Sequence, residues 1–433
     1  MKHRLTMLSA NLCLLLTLLL IPLSGALAEE IEIPLGDGAD AFITRFPADG
    51  EELIVWFPSE FGPSPRLPPI AQALASLGIE VWMPDLHATW FLPVGRYSLG
   101  DVDPDALMQI MRAAQEQSGK RVYLMAPGRT AALGLEAIRG WQVAGMPPGA
   151  FGGAILLHPN LYTQTPQGGE AAAFIPAASA TNVPLYLLQP EQSAYYWRSK
   201  QVRNRLEEGG AQVYLHILKD AGDGFYARSD YSAVEESLTR QLPQLLQRAT
   251  RLLAETTEVS LTPAPMPQDG NTARHGERES TRVALLKPYR GNRVTPPLSL
   301  QTLDSETIEL VNYSGKVVVL NFWATWCPPC VEEIPSLERL RKLRHARGLD
   351  VISVAVGEEP EKVRQFLEDK PVGYPVALDP DAGAFVAWNT YAFPTTFVLD
   401  RDHRIRYAVF GAFAWDSPEV LDAVDELLET REN

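Results

Sequence analysis

The apolar positions of the chain form two long patterned stretches separated by one that has no period. From residue 29 to about 255, short apolar runs alternate with amphipathic segments. Glu52–Phe57 (ELIVWF) predicts a buried strand, Ile70–Leu77 a helix stopped at Gly78, and Ile79–Asp85 a second strand. Pro104–Gln117 predicts an amphipathic helix with proline near its start. It is followed by a strand at Arg121–Met125, a helix at Thr130–Arg139 and a strand at Ala154–Leu157. Leu185–Leu188 and Gln212–Leu218 predict two further strands around a helix at Tyr195–Glu208, and Tyr231–Glu255 supplies a closing helix. Alternation of this kind predicts an α/β domain built on a mostly parallel, doubly wound sheet. Tyr162–Asn182 is rich in small residues and reads as a long loop or partial lid. Trp90, Phe91, Tyr195, Tyr196 and Trp197 fit either a pocket lining or the core.

The pattern collapses between Thr256 and Arg293, where SLTPAPMPQDGNTARHGERESTR is rich in proline, glycine and charge. That composition predicts a flexible interdomain linker, which would let the second domain move while staying concentrated near the first. Periodicity then returns. Val317–Leu320 with Phe322 is a continuous apolar, β-branched run that predicts a buried strand. It ends at Trp323-Ala324-Thr325-Trp326, and Cys327-Pro328-Pro329-Cys330 opens a helix continued by Leu337–Leu343. Leu349–Val356 predicts the next strand, Val409–Phe413 falls in the last sheet region, and Ser417 caps a final helix with Pro418 in its first turn.

The N-terminal end is organised differently. Lys2, His3 and Arg4 precede an apolar run, Leu12–Leu23, interrupted by Pro22 and followed by Ala26-Leu27-Ala28. This predicts a secretory signal peptide, residues 1–28, cleaved after Ala28. An uncleaved membrane anchor is the weaker alternative, since the run is short and proline-interrupted. The expected organisation is therefore a signal peptide (1–28), an α/β domain (29–255), a linker (256–293) and a second domain (294–433).

Composition adds two constraints. The 433 residues are 46% hydrophobic and 21% charged, as a soluble chain of two or three domains would be. Net charge is −15. Loss of residues 1–28 removes two basic residues and no acid, moving it to −17. Such an acidic protein is poorly suited to nucleic acid or an anionic membrane surface. Of the three cysteines, Cys13 lies in the apolar run and would leave with it. An exported protein whose two remaining cysteines form one CPPC unit uses them for chemistry rather than for stapling.

The chemistry of that unit follows from its place. At a helix N-terminus, unpaired backbone N–H groups and the helix dipole favour a thiolate at Cys327. Two cysteines separated by two residues can close a small disulfide with little backbone movement, so the pair can cycle between dithiol and disulfide. Pro328 and Pro329 stiffen the loop and remove two N–H donors near the Cys327 sulfur. A zinc half-site is disfavoured because zinc needs about four ligands and no histidine lies near at ligand spacing.

NFWATWCPPC followed by EEIP resembles the active site of the thioredoxin superfamily, and is most similar to the TlpA-like thiol-disulfide oxidoreductases. The similarity runs from about Thr295 to the C-terminus. Leu298–Tyr313 resembles the β-hairpin before that family's core, with Asp304-Ser305 at its turn, and Pro360–Leu367 resembles the extra helix of this branch. Tyr391–Asp400 (YAFPTTFVLD) resembles the second thioredoxin signature. The resemblance implies a thioredoxin fold in which Pro394 is cis and lies across from the cysteine pair. Phe393 would offer its backbone to a substrate strand, Trp326 and Pro394 would frame the docking groove, and Pro335 would mark a kink in the active-site helix. Asn321 stands where thioredoxin itself carries a buried aspartate. Glu333 matches an acidic residue placed beneath the disulfide, which implies a proton acceptor for Cys330. Its bland reading is a solvated glutamate near a helix start.

The first domain resembles the α/β-hydrolase fold over nearly all of its length. GIEVWMPDL looks like that family's strand ending in Pro-Asp, and Ala221–Phe225 (AGDGF) looks like its AGHGF loop. The nucleophile elbow G-x-S-x-G should follow the strand VYLMA. Here Ala126-Pro127-Gly128-Arg129-Thr130 puts Gly128 at the nucleophile, while the acid's place falls near Ser193 and the histidine's on Asp223. Thr130 would serve only under a two-residue shift, Glu191 is an acid without a base, and His87, His158 and His216 read as ordinary loop or strand-end residues. The expectation is a hydrolase-like domain without its catalytic residues, acting in binding or docking.

Together these readings predict an exported, periplasmic thiol-disulfide oxidoreductase. Its Cys327–Cys330 pair would reduce disulfides of envelope proteins without a cofactor, recharged by a membrane-embedded thiol relay. An esterase or peptidase with a redox appendage, and a client-binding scaffold, are the rival readings. The sequence leaves oligomeric state open.

Overall fold

The computed structural model describes residues 28–95, 98–164, 166, 168–256, 259–267 and 286–430. Residues 1–27 of the expected signal peptide, with Cys13, and positions 257–258 and 268–285 of the expected linker lie outside the described residues. Among the described residues no helix is long and apolar enough to cross a membrane.

Two sheets organise the chain. The first holds β1 (Glu29–Pro34), β2 (Asp40–Phe46), β3 (Glu52–Trp56), β4 (Ile79–Pro84), β5 (Arg121–Pro127), β6 (Phe151–Leu157), β7 (Leu185–Gln192) and β8 (Val213–Gly222). Their order is β1-β2-β4-β3-β5-β6-β7-β8, with β3 to β8 parallel and β1–β2 added antiparallel against β4. Alternate residues of β3 serve two cores, as the two-residue period of a strand requires. Leu53 and Val55 pack under the helices Pro104–Ser118 and Thr130–Val143, while Ile54 and Trp56 pack under Leu67–Ser76 and Ala233–Ala254. The expected alternation is present throughout, and β1 and β2 are additions to it.

The second sheet holds β9 (Ser299–Thr302), β10 (Thr307–Glu309), β11 (Val317–Trp323), β12 (Leu349–Val356), β13 (Val376–Asp379), β14 (Thr395–Leu399) and β15 (Ile405–Phe410), in the order β10-β9-β13-β12-β11-β14-β15. β11 lies between parallel β12 and antiparallel β14, and all seven of its residues are buried. Val318, Leu320 and Phe322 pack with Phe385, Trp388 and Phe397. Val317 and Val319 pack with Leu337, Leu340 and the final helix, Pro418–Glu429. Ser305, at the tip of the β9–β10 hairpin, has a positive φ of 64°, the left-handed geometry a tight turn needs. The backbone at Ser417 has a helix-entry conformation, but its hydroxyl makes no capping hydrogen bond.

The segment expected to be a free linker is ordered at both ends. Residues 259–267 lie along the first domain: Gln142 Nε2 donates to the Ser260 carbonyl, Asn182 Nδ2 to that of Thr262 and Arg139 Nη1 to that of Ala264. Residues 286–293 lie along the second: Leu286 N–H donates to Glu419 Oε1, Tyr289 N–H to the Arg406 carbonyl, and Leu286 and Tyr289 are buried. Apolar side chains scattered in a polar stretch thus find cores that the local composition does not reveal.

The two domains also touch directly. The small-residue loop read as a partial lid reaches the second domain, where Gly168 packs on Phe397 and Ala408, and Ala172 N–H donates to Tyr391 Oη at 3.0 Å. The approach is close: a β-carbon at 168 would sit 3.0 Å from the Phe397 ring, so the ring would have to give way to any larger residue.

Candidate redox site

β11 delivers its last residues to the edge of the second sheet, and Cys327 becomes the N-cap of the helix Pro328–Arg344. Pro328 and Pro329 occupy the first helical positions, which need no N–H. The next donor is the Cys330 N–H, and it reaches the Cys327 sulfur at 3.3 Å. Cys327 and Cys330 are joined by a disulfide, with Cα atoms 5.3 Å apart. Cys327 is 4% exposed and Cys330 fully buried, so an incoming group meets Cys327 first.

Around the pair, Trp326 and Phe393 meet edge to face at 5.4 Å, and Phe393 stacks on Phe385 at 4.7 Å. Both rings pack with Cys327, Cys330, Trp323 and Ile334 in one apolar cluster. The Phe393–Pro394 bond is cis, as the resemblance implied. The Phe393 N–H and C=O take no partner among the described residues, whereas Pro394 O accepts from Gly411 N–H at 2.9 Å. Pro335 lies inside the active-site helix.

Glu333 sits one helical turn beyond Cys330, on the same side of the helix. It is 2% exposed, which removes the solvated reading. Asn321 Nδ2 donates to Oε1 at 2.6 Å, while Trp415 Nε1 and Phe413 N–H donate to Oε2 at 3.1 and 3.3 Å. Burial pushes the carboxyl up to about 7, and the three donors offset part of that rise. Asn321 also donates to Thr396 Oγ1 at 2.9 Å, so the residue at thioredoxin's aspartate position orients the glutamate.

One residue at this site gave no sequence signal. Glu358, just past the end of β12, is buried and accepts from Thr325 N–H at 2.6 Å and from Thr325 Oγ1. It also pairs with Lys362 Nζ at 3.2 Å. In the sequence it is one of two glutamates before Pro360 and looks like an ordinary helix-entry acid.

The hydrolase-type positions of the first domain lie at the C-terminal ends of its strands but form no nucleophile–base pair. Gly128 has a φ of 49°, and a β-carbon there would lie 3.1 Å from Glu60 Oε2. Ser193 Oγ donates to Asp223 Oδ2 at 2.9 Å. Thr130 is buried with its hydroxyl bonded to the Pro58 carbonyl at 2.7 Å. Glu191 accepts from Asp220 N–H, His216 Nδ1 is engaged by Tyr186 Oη, and His87 Nε2 by Ser98 Oγ. His158 Nε2 has no hydrogen-bond partner among the described residues.

The redoxin family profile matches residues 290–426. The thiol-disulfide oxidoreductase ResA of Geobacillus thermodenitrificans is 32% identical over 133 residues, which cover 31% of this chain and 73% of that protein. ResA of Bacillus subtilis is 34% identical over 116 residues, covering 27% of this chain and 65% of the relative. A thioredoxin-family thiol:disulfide interchange protein from Chlorobium tepidum aligns with 32% of this chain and 99% of its own at 25% identity and a TM-score of 0.29. Through its second domain, the chain belongs to the redoxin-type thiol-disulfide oxidoreductases.

Proposed function

We propose that the protein is an exported disulfide reductase of envelope proteins, working through Cys327 and Cys330, with the first domain as a binding or docking module. The observation that carries the reading is the stacking of functions along one helix end. Cys327 is the N-cap with its sulfur on the Cys330 N–H, Cys330 is buried behind it, and buried Glu333 lies one turn further.

The reaction balances as two exchanges. The Cys327 thiolate attacks a client disulfide, forming a Cys327–client bond and expelling one client thiolate, which takes up a proton. Cys330 passes its proton to Glu333 and attacks the Cys327 sulfur, releasing the second client thiolate. The client gains two electrons and the pair is left as a disulfide. A carboxyl that titrates near 7 is matched to accept and return that proton near neutral pH. Trp326, Phe393 and Pro394 frame the groove, and the unpartnered Phe393 main chain supports pairing with an extended client segment. Re-reduction falls to a membrane-embedded thiol relay, and the apolar run Leu12–Leu23 with Ala26-Leu27-Ala28 supports export.

For the first domain, the strand order and the glycine elbow at residue 128 support an α/β-hydrolase-like fold that has lost its triad. Without a nucleophile, acyl transfer has no route.

The test is Cys330→Ala, which removes the resolving sulfur. It should accumulate Cys327-linked mixed disulfides with envelope proteins, and Cys327→Ala should trap none. Equal trapping by both variants overturns the assignment. A reduction potential near the roughly −270 mV of thioredoxin supports a reductant, and one near the roughly −120 mV of a strong oxidant reverses the direction.

A further inference from the structure

One turn of the first domain touches both rims of the redox groove. After β7, Ser193 Oγ accepts the Tyr195 N–H, and the chain enters the single 3₁₀ turn Tyr196–Arg198. Arg198 is 5% exposed, and no carboxylate among the described residues pairs with it. Its Nη2 donates to the carbonyls of Val386 and Thr390 at 3.3 and 3.2 Å, and its guanidinium carbon lies 3.9 Å from the centre of the Tyr391 ring. A planar fork satisfies two carbonyls and an aromatic face at once, which an ammonium cannot do. Tyr391 is held on its other sides by the first domain too: its hydroxyl accepts the Ala172 N–H, and Tyr162 meets its ring edge to face at 5.4 Å. Two residues later the chain is at Phe393–Pro394, with Thr395 Oγ1 bonded to the intervening Ala392 carbonyl.

The neighbouring side chain backs the opposite rim. Trp197 lies so close to Gly357 that a β-carbon there would be 2.2 Å from Trp197 Cζ2. Gly357 leads directly into Glu358, whose carboxylate fixes the N–H and hydroxyl of Thr325, next to Trp326 and Cys327. Adjacent residues of the first domain therefore brace the 390–394 rim and the 325–327 rim.

We propose that Arg198, with Trp197, is a positioning residue for disulfide exchange: the first domain sets the width and register of the groove that receives a polypeptide client. This rests on the reading that clients dock along Phe393–Pro394. A small disulfide needs only access to the Cys327 sulfur, whereas an extended client needs both rims in place. The brace thus acts on client binding rather than on the sulfur chemistry.

The experiment uses the full mature chain with reduced insulin formation as the protein assay and 5,5′-dithiobis(2-nitrobenzoate) as the small disulfide. Arg198→Ala should raise KM for insulin about tenfold, the loss expected when charge-assisted bonds worth about 1.4 kcal/mol disappear. Its kcat with the small disulfide and its reduction potential should stay at wild-type values. Arg198→Lys should recover only part of the insulin KM. Tyr391→Phe, which loses the Ala172 bond but keeps the ring and leaves no buried charge, should shift KM in the same direction and serves if Arg198→Ala does not fold. An insulin KM unchanged in both variants overturns the proposal, as does an equal fall in both assays with a moved potential. If the wild type reduces the small disulfide but not insulin, the client reading itself fails, whatever Arg198 does.

Discussion

Glu333 offers the sharpest quantitative test, because its burial has a calculable consequence for stability. The group is an acid whose folded-state value is raised, from an ordinary 4.5 to about 7. The folded protein therefore holds this proton more tightly than the unfolded chain does. Below pH 4.5 both states are protonated and the burial is harmless. Between 4.5 and 7 the unfolded chain ionises first, so the folded state loses stability as pH rises, and above 7 the loss is complete. At 1.36 kcal/mol per unit, a rise of about 2.5 units corresponds to roughly 3 kcal/mol. Glu333→Gln removes the titration. Other acids, Asp379, Asp223 and Glu136, are also raised by desolvation and slope the same way, so only the difference between wild type and variant isolates this group. Amide exchange of β11, the central strand of the redox domain, reads that domain's stability without requiring the whole chain to unfold as one unit. Between pH 4.5 and 8 the stability of wild type relative to the variant should fall by about 3 kcal/mol. A difference that stays constant across that range would mean Glu333 ionises as a solvated acid does. The buried-carboxyl argument, and with it the proton acceptor for Cys330, would then be wrong.

Two further substitutions test the groove and its support. Glu358→Ala leaves the Thr325 N–H without its carboxylate, a loss of about 1.5–3 kcal/mol for a charge-assisted bond. The Thr325 amide should exchange at least about tenfold faster while the amides of β14 are unchanged, and equal protection in both proteins would refute the role of the carboxylate. Phe322→Ala empties a fully buried site between Phe385, Trp388 and Phe397, and should destabilise the redox domain by about 4 kcal/mol in denaturant unfolding. A loss under about 1 kcal/mol would mean the surrounding rings collapse into the space.

What could be read from the sequence, and what could not, divides by the range of the interactions. β11, its exit into CPPC and the helix behind it are local: seven consecutive residues buried on both faces make an apolar run no loop could carry, and proline after Cys327 opens a helix. The alternation of β3 to β8 with helices is legible for the same reason. β1 and β2 were not, because they are edge strands with one wet face. Only Ile33, Ala41, Ile43 and Phe46 of their thirteen residues are buried hydrophobics, too few to stand out from a loop. The linker was read as free because its composition is polar, yet Leu286 and Tyr289 join the two cores of the second domain, and their N–H groups bond Glu419 and Arg406, each more than a hundred positions away.

The residues that sequence reasoning missed at the redox site are those whose partners lie far along the chain. Glu358 meets Thr325 across 33 positions, and Arg198 meets Thr390 across 192. Neither has a periodic or motif signal, since a single buried charge met by main-chain groups, the Thr325 N–H for Glu358 and the Val386 and Thr390 carbonyls for Arg198, leaves no pattern of its own. Their position matters more than their chemistry. The proposed catalytic residues, Cys327, Cys330 and Glu333, all belong to one helix and its N-cap, so that element alone sets their spacing. The two rims of the groove do not share an element: one follows β11 and the other precedes β14, and they meet where Trp326 and Phe393 pack edge to face over the cysteine pair. β11 and β14 pair directly as far as Phe322 and Thr395, and beyond that register the two rims gain from a support that spans both. In this chain that support is supplied from outside the thioredoxin fold, by adjacent residues at the end of a strand in the first domain. Gly128, Ser193 and Asp223 lie at the same end of that sheet, with Ser193 bonded both to Asp223 and to the N–H that begins the bracing turn. On the proposed reading, the loop ends of the first domain serve to shape the site of its neighbour.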